Sequence, residues 1–132
     1  MFFSKPVSSD PKEFGKSGEE LAAKHLTKLG YKVLEKNYRT KAGEIDIVAQ
    51  DGEILVFVEV KSRRDKSYGP PEIKVDYHKM RQITRAALLY LVRKKKSNSP
   101  CRFDVVGISA PQGEAVEVTV IKDAFEMAGG GY

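Results

Sequence analysis

Along the chain, apolar positions alternate between helical and strand-like spacing. From about Lys12 to Leu29 they recur every three or four residues, with Ala22, Leu26 and Leu29 on one stripe and Leu21 and His25 beside it. Asp10-Pro11 opens this helix and Gly30 closes it. Residues 31–38 (YKVLEKNY), 44–50 (EIDIVAQ) and 53–61 (EILVFVEVK) read as strands, the last two joined by Asp51-Gly52, a two-residue hairpin signal. A polar loop from Ser62 to about Val75 leads into a second helix, about Asp76 to Lys95, whose buried stripe is Met80, Ile83, Ala87 and Leu91. Residues 101–109 (CRFDVVGIS) and 115–121 (AVEVTVI) close the pattern as strands around Pro111-Gln112-Gly113. The order predicts a single α/β domain over residues 12–122, a mixed sheet flanked by helices. A loose arm (1–11) and a loose tail (123–132) are expected on either side.

The hairpin carries the first hint of chemistry. With Asp51-Gly52 as the turn, Ile45 faces Val58, Ile47 faces Val56 and Ala49 faces Ile54, an apolar side suited to a core. The other side places Glu44 opposite Glu59, with Asp46 and Lys61 on the same face at the far end. Like charges across a ladder are destabilising, and half-buried carboxylates need a compensating cation or donor. The diagonal pair Asp46 and Glu59 is expected roughly 7–8 Å apart at the backbone, close enough for both arms to reach one cation. Lys61 then stands where it can stabilise developing negative charge. The competing reading is an exposed sheet end with ordinary Glu–Lys neighbours, each worth little. Glu19 points to the core side of the first helix, toward the same place; as a first-turn acid it is equally explained by the helix dipole.

Composition narrows the class. At 132 residues, with 41% hydrophobic and 31% charged, the chain suits one folded domain and neither a disordered nor a collagen-like one. No apolar run approaches the roughly 18 residues that cross a bilayer, and Ser4-Lys5-Pro6 interrupts the apolar start, so neither a membrane partner nor a signal peptide is expected. Cys101 stands alone, which makes a cytoplasmic location the expectation. The net charge of +5 is unevenly spread: 13 basic and 3 acidic residues fall within 61–102, against 9 and 10 within 1–60. A polyanion suits such a segment, and so does a solvated helix face.

Gly43-Glu44-Ile45-Asp46, followed by Glu59-Val60-Lys61, resembles the D…ExK core of the PD-(D/E)xK nuclease superfamily. More narrowly, the chain from about Phe14 to Ser109 resembles the YraN-type uncharacterised family, itself similar to Hjc-type Holliday-junction resolvases. The likeness includes Gly18-Glu19-Glu20-Leu21-Ala22-Ala23, Asn37-Tyr38-Arg39 and Arg102-Phe103-Asp104-Val105-Val106. It implies a restriction-endonuclease-like mixed sheet flanked by helices. It implies that Asp46, Glu59 and the Val60 carbonyl ligate Mg²⁺ or Mn²⁺, that Lys61 acts on the attacking water or the phosphate, and that Glu19 completes the site. Glu44 is an accessory acid the wider superfamily does not need. The implied reaction is hydrolysis of DNA phosphodiesters, branched or structured DNA among them, leaving 5′-phosphate and 3′-hydroxyl ends. A homodimer is the assembly that resolvases use.

Other residues weigh less. Arg63, Arg64 and Lys66 follow the ExK strand and suit a nucleic-acid backbone; Lys79 and Arg81 suit either phosphate contacts or a solvated helix face. His25, His78 and Cys101 lack partners at metal-ligand or nucleophile spacing. The rival function is a non-catalytic nucleic-acid-binding module retaining the nuclease fold; an adaptor with a structural acidic cluster is the third.

Overall fold

The computed structural model describes residues 2–3, 11–63, 75–110 and 115–128. The elements are β1 (Phe2–Phe3), α1 (Pro11–Lys28), β2 (Lys32–Arg39), β3 (Glu44–Asp51), β4 (Ile54–Arg63), α2 (Tyr77–Arg93), β5 (Cys101–Ser109) and β6 (Val116–Phe125). They build one six-stranded sheet in the order β1-β6-β5-β4-β3-β2. Only β4 and β5 pair in parallel, in register from Leu55↔Cys101 to Arg63↔Ser109, as a crossover through a helix requires. Asp76 caps α2, its carboxylate accepting the N–H of Lys79 at 2.8 Å. At the other end of α1 the Tyr31 N–H returns to the Leu26 carbonyl at 3.0 Å, closing the helix around Gly30.

Each face of the sheet has its own core. Under α1, Ala22 and Leu26 meet Ile47, Ala49, Val56, Val58, Val106 and Ile108. Under α2, Ile83, Ala87 and Tyr90 meet Val48, Leu55, Phe57 and Phe103. Burial on both faces explains why the middle of β4, Leu55-Val56-Phe57-Val58, is continuously apolar. Phe57 is fully enclosed and packs on Tyr90 and Phe103 at ring distances of 5.7 Å; burying such a side chain contributes about 1.5–3 kcal/mol. A mixed sheet between two helices is the restriction-endonuclease-like α/β architecture that the motifs implied.

Tertiary structure corrects several local expectations. The β3–β4 turn is Gly52-Glu53, not Asp51-Gly52, and the pairs are Ile47↔Val58, Ala49↔Val56 and Asp51↔Ile54. Gly52 takes φ +62 at the first central position, as a type II′ turn requires, while Asp51 stays in the strand and meets Arg102 at 3.0 Å. Which side chains share a face is largely preserved, because the pairing moves by a whole pleat. Ile45 is the exception: it joins the α2-side core rather than that of Ile47, so β3 turns about its axis at Asp46. Leu29 lies past the end of α1 and is 52% exposed instead of buried. Strand β6 runs to Phe125, into the expected tail, because Phe125 stacks on Phe103 at 4.8 Å. Phe2 and Phe3, expected in a loose arm, pair with Glu117 and Val116.

Candidate functional site

Where β3 and β4 stop pairing, a side chain replaces the ladder. The last regular pair is Ile47↔Val58; beyond it, Asp46 Oδ2 accepts the Val60 N–H at 2.8 Å. Asp46 also hydrogen-bonds the carboxyl of Glu59. From the other side come Glu44, two residues earlier on β3, and Glu19 on α1. Carboxylate oxygens of Glu19, Glu44 and Asp46 all lie within 4.8 Å of one another, each residue half-buried. Helix α1 reaches this point because Gly18 is in close contact with β4: a Cβ there would collide with Ser62 Oγ. On β2, Asn37 takes φ +52 and its side chain hydrogen-bonds Glu19.

Electrostatics at this end of the sheet are unbalanced. Glu59 is 7% exposed, and its Oε2 has no hydrogen-bond partner among the described residues. Among the described residues, Lys79 on α2 pairs with it, its Nζ 3.4 Å from that oxygen. Burial, then the hydrogen bond and charge of Asp46, push the Glu59 carboxyl up to about 8; Lys79 and Lys61 only partly oppose this. Glu19 is shifted in the same direction by burial and by Asp46, with the Asn37 hydrogen bond opposing. Arg39 faces Glu44 at 3.6 Å, but the arginine is largely exposed and screened. Among the described residues, the centre thus holds more carboxylates than the neighbouring cations compensate. All its donors are hard oxygens, the set that suits Mg²⁺ or Mn²⁺ rather than a soft metal.

The remaining residues singled out from sequence occupy varied places. Val60 enters through its N–H, given to Asp46. Lys61 is exposed two residues beyond Glu59. Arg63 is half-buried at the end of β4, its carbonyl accepting the Ala110 N–H at 2.9 Å. Lys79 pairs with Glu59, and Arg81 is half-buried with its Nε outside any hydrogen bond among the described residues. Arg64 and Lys66 lie outside the described residues. The direct Glu44–Glu59 opposition does not occur, since the shifted register removes it. Two residues named from the sequence have supporting roles that the sequence reading did not give them. Asn37 is a residue type that tolerates φ > 0, unusual inside a strand pattern and therefore a usable signal. Lys79 was weighed only for phosphate contacts, because its pairing with Glu59 is set by helix docking.

The fold and this acidic centre define a PD-(D/E)xK-like protein. The model of the family described as "Uncharacterised protein family UPF0102" matches residues 18–108, and the chain belongs to that small uncharacterised family. The UPF0102 protein of Geotalea daltonii is 46% identical over 120 residues, covering 91% of this chain and 94% of that one. The UPF0102 protein of Syntrophus aciditrophicus is 50% identical over 117 residues, covering 88% and 91%. Among solved structures, Pyrococcus furiosus SfsA in complex with Ca²⁺ matches with a TM-score of 0.40 and 13% identity, over 85% of this chain and 64% of that one. That likeness is too distant to bear on function.

Proposed function

We propose that this protein is a metal-dependent endonuclease-like hydrolase of DNA phosphodiester bonds, acting on branched or structured DNA. The carrying observation is the convergence of Glu19, Glu44 and Asp46 within 4.8 Å, with Glu59 buried beside Asp46 and short of hydrogen bonds. In this reading Asp46 and Glu59 would hold a Mg²⁺ or Mn²⁺ ion together with the Val60 carbonyl, and Glu19 and Glu44 would complete its surroundings. When bound, such an ion polarises a phosphoryl oxygen and makes a water a better nucleophile at neutral pH. Lys61, exposed beside Glu59, offers its ammonium to the charge that develops on the phosphate. Asn37 orients Glu19, and the Val60 N–H orients Asp46. Arg63, Arg64, Lys66 and Arg81 are the cations assigned to the nucleic-acid backbone. Lys79 joins them once Glu59 no longer needs its counter-charge.

A second reading, a non-catalytic nucleic-acid-binding module, is favoured by one observation. Glu59 is already engaged by Lys79 and Asp46, so the centre is partly closed by the protein's own groups. Cleavage of labelled four-way junctions and linear DNA in Mg²⁺ or Mn²⁺ separates the two. Hydrolysis is expected to need metal, to vanish in Asp46→Asn, and to fall about 100-fold or more in Lys61→Ala. Wild-type protein no more active than Asp46→Asn on every substrate, with binding retained, selects the second reading.

A further inference from the structure

A groove runs between α1 and the edge strand β2, away from the acidic centre. Its volume is about 550 Å³, and it is lined by Glu20, Ala23, Lys24 and Lys28 of α1 and by Val33 and Lys36 of β2. The floor is apolar and the rims are mainly cationic. Both walls continue from residues at the acidic centre: Glu20 follows Glu19 on the helix, and Lys36 precedes Asn37, whose side chain bonds Glu19. From Glu20 to Lys28 the helix advances about 12 Å. Because β2 is the edge of the sheet, the groove opens sideways to solvent.

Lys24 and Lys36 are exposed and make no ion pair among the described residues. This contrasts with Lys79 and Lys94, which are held by Glu59 and Glu35. A linear charge count hides the feature, since residues 1–60 hold 9 basic and 10 acidic side chains. Folding separates the two signs. Glu19, Glu44, Asp46 and Glu59 gather at the acidic centre, leaving Lys24, Lys28 and Lys36 on the outer groove. Cations on both rims of an apolar floor complement a chain with a periodic negative backbone and apolar sugar faces.

We infer that this groove carries the phosphate backbone of one nucleic-acid strand as it leaves the acidic centre, with Lys24 and Lys36 as its contacts. The inference names the path of the substrate and rests on the nucleic-acid reading of the site, but not on hydrolysis. It places an anchoring surface on the α1 side of the sheet, opposite the basic residues of α2. The contacts are sequence-independent, since lysine ammonium groups on a backbone read charge and not bases.

The test is binding of a fluorescein-labelled single-stranded oligonucleotide by the full chain in EDTA, followed by anisotropy across a salt series. Lys24→Ala/Lys36→Ala is expected to weaken binding at low salt. It should also reduce the slope of log K against log salt by about 1.4, since each phosphate contact on a single strand contributes roughly 0.7. The comparison variant is Lys95→Asn/Lys96→Ala at the far end of α2, with Asn chosen because Lys95 sits at φ +56. It should leave that slope unchanged. Equal slopes for wild type and Lys24→Ala/Lys36→Ala, with wild type binding, overturn the groove while leaving the hydrolase reading intact. No binding of the single strand by wild type at low salt overturns the groove, whereas the hydrolase reading stands or falls on the junction-cleavage assay. Groove-dependent binding without any cleavage supports the groove and sinks only hydrolysis. All four lysines are exposed, so matching circular dichroism and melting curves are expected for every variant.

Discussion

Two groups of acids sit in this sheet, and they are treated in opposite ways. Asp104 on β5 is fully buried, and four donors meet it. Oδ1 accepts Arg102 Nε at 2.8 Å and the Asp123 N–H at 2.9 Å; Oδ2 accepts Tyr31 Oη–H at 3.0 Å and Arg102 Nη2 at 3.1 Å. Arg102 in turn reaches Asp51 at 3.0 Å, tying β5 to the end of β3. Its hydrogen bonds to Asp104 raise the guanidinium's already high affinity for its proton, and burial beside Asp104 pushes the Tyr31 hydroxyl up to about 12. At the acidic centre, by contrast, Glu59 has among the described residues one lysine at 3.4 Å and a second acid as its hydrogen-bond partner. A buried acid with all its donors is a structural element; one left short is a candidate to bind something not of the chain. The difference lies in compensation, not in the number of acids.

That contrast can be broken. The largest expected effect is at the satisfied cluster: Asp104→Ala strands Arg102 and Tyr31 and should lower stability by about 3–5 kcal/mol in urea titration. A loss below 1 kcal/mol would erase the distinction drawn above. Next comes pH. Glu59 keeps its proton in the folded, metal-free protein up to about 8, whereas in the unfolded chain it releases it near the ordinary 4.5. Its contribution is therefore complete below pH 4.5 and is lost as the pH rises toward and through 8. The unfolding free energy from urea titrations in EDTA should fall over that window by on the order of a few kcal/mol, and Glu59→Gln should flatten the decline. An unchanged slope in Glu59→Gln would show that the acid is fully compensated after all. The smallest effect is expected for Arg39→Ala, which removes a screened surface pair with Glu44 and should cost about 0–1 kcal/mol.

Much of the scaffold was legible in the chain. The stripe Ile83, Ala87 and Leu91 is buried as its spacing requires, and Met80 is partly so. Gly30 ends the first helix and Asp76 begins the second. The proximity of Asp46 to Glu59 was legible too, although through the wrong turn residues. Alternation decides faces, whereas register depends on which residue takes the positive φ and on what holds Asp51 in its strand, here Arg102 some fifty positions away. The extent of β6 was hidden for a similar reason: Phe125 extends the strand only because Phe103 is there to stack on.

Local pattern thus determined the elements, their order, the two apolar faces and the acids gathered at one end of the hairpin, because those follow from periodicity and turn chemistry within a few residues. Only the tertiary structure decided which acids find donors. It set Asn37 on Glu19, Lys79 on Glu59 and four donors on Asp104, and it left Lys24 and Lys36 along an open groove. Desolvation and pairing depend on neighbours from other elements, and no single stretch of chain carries that information.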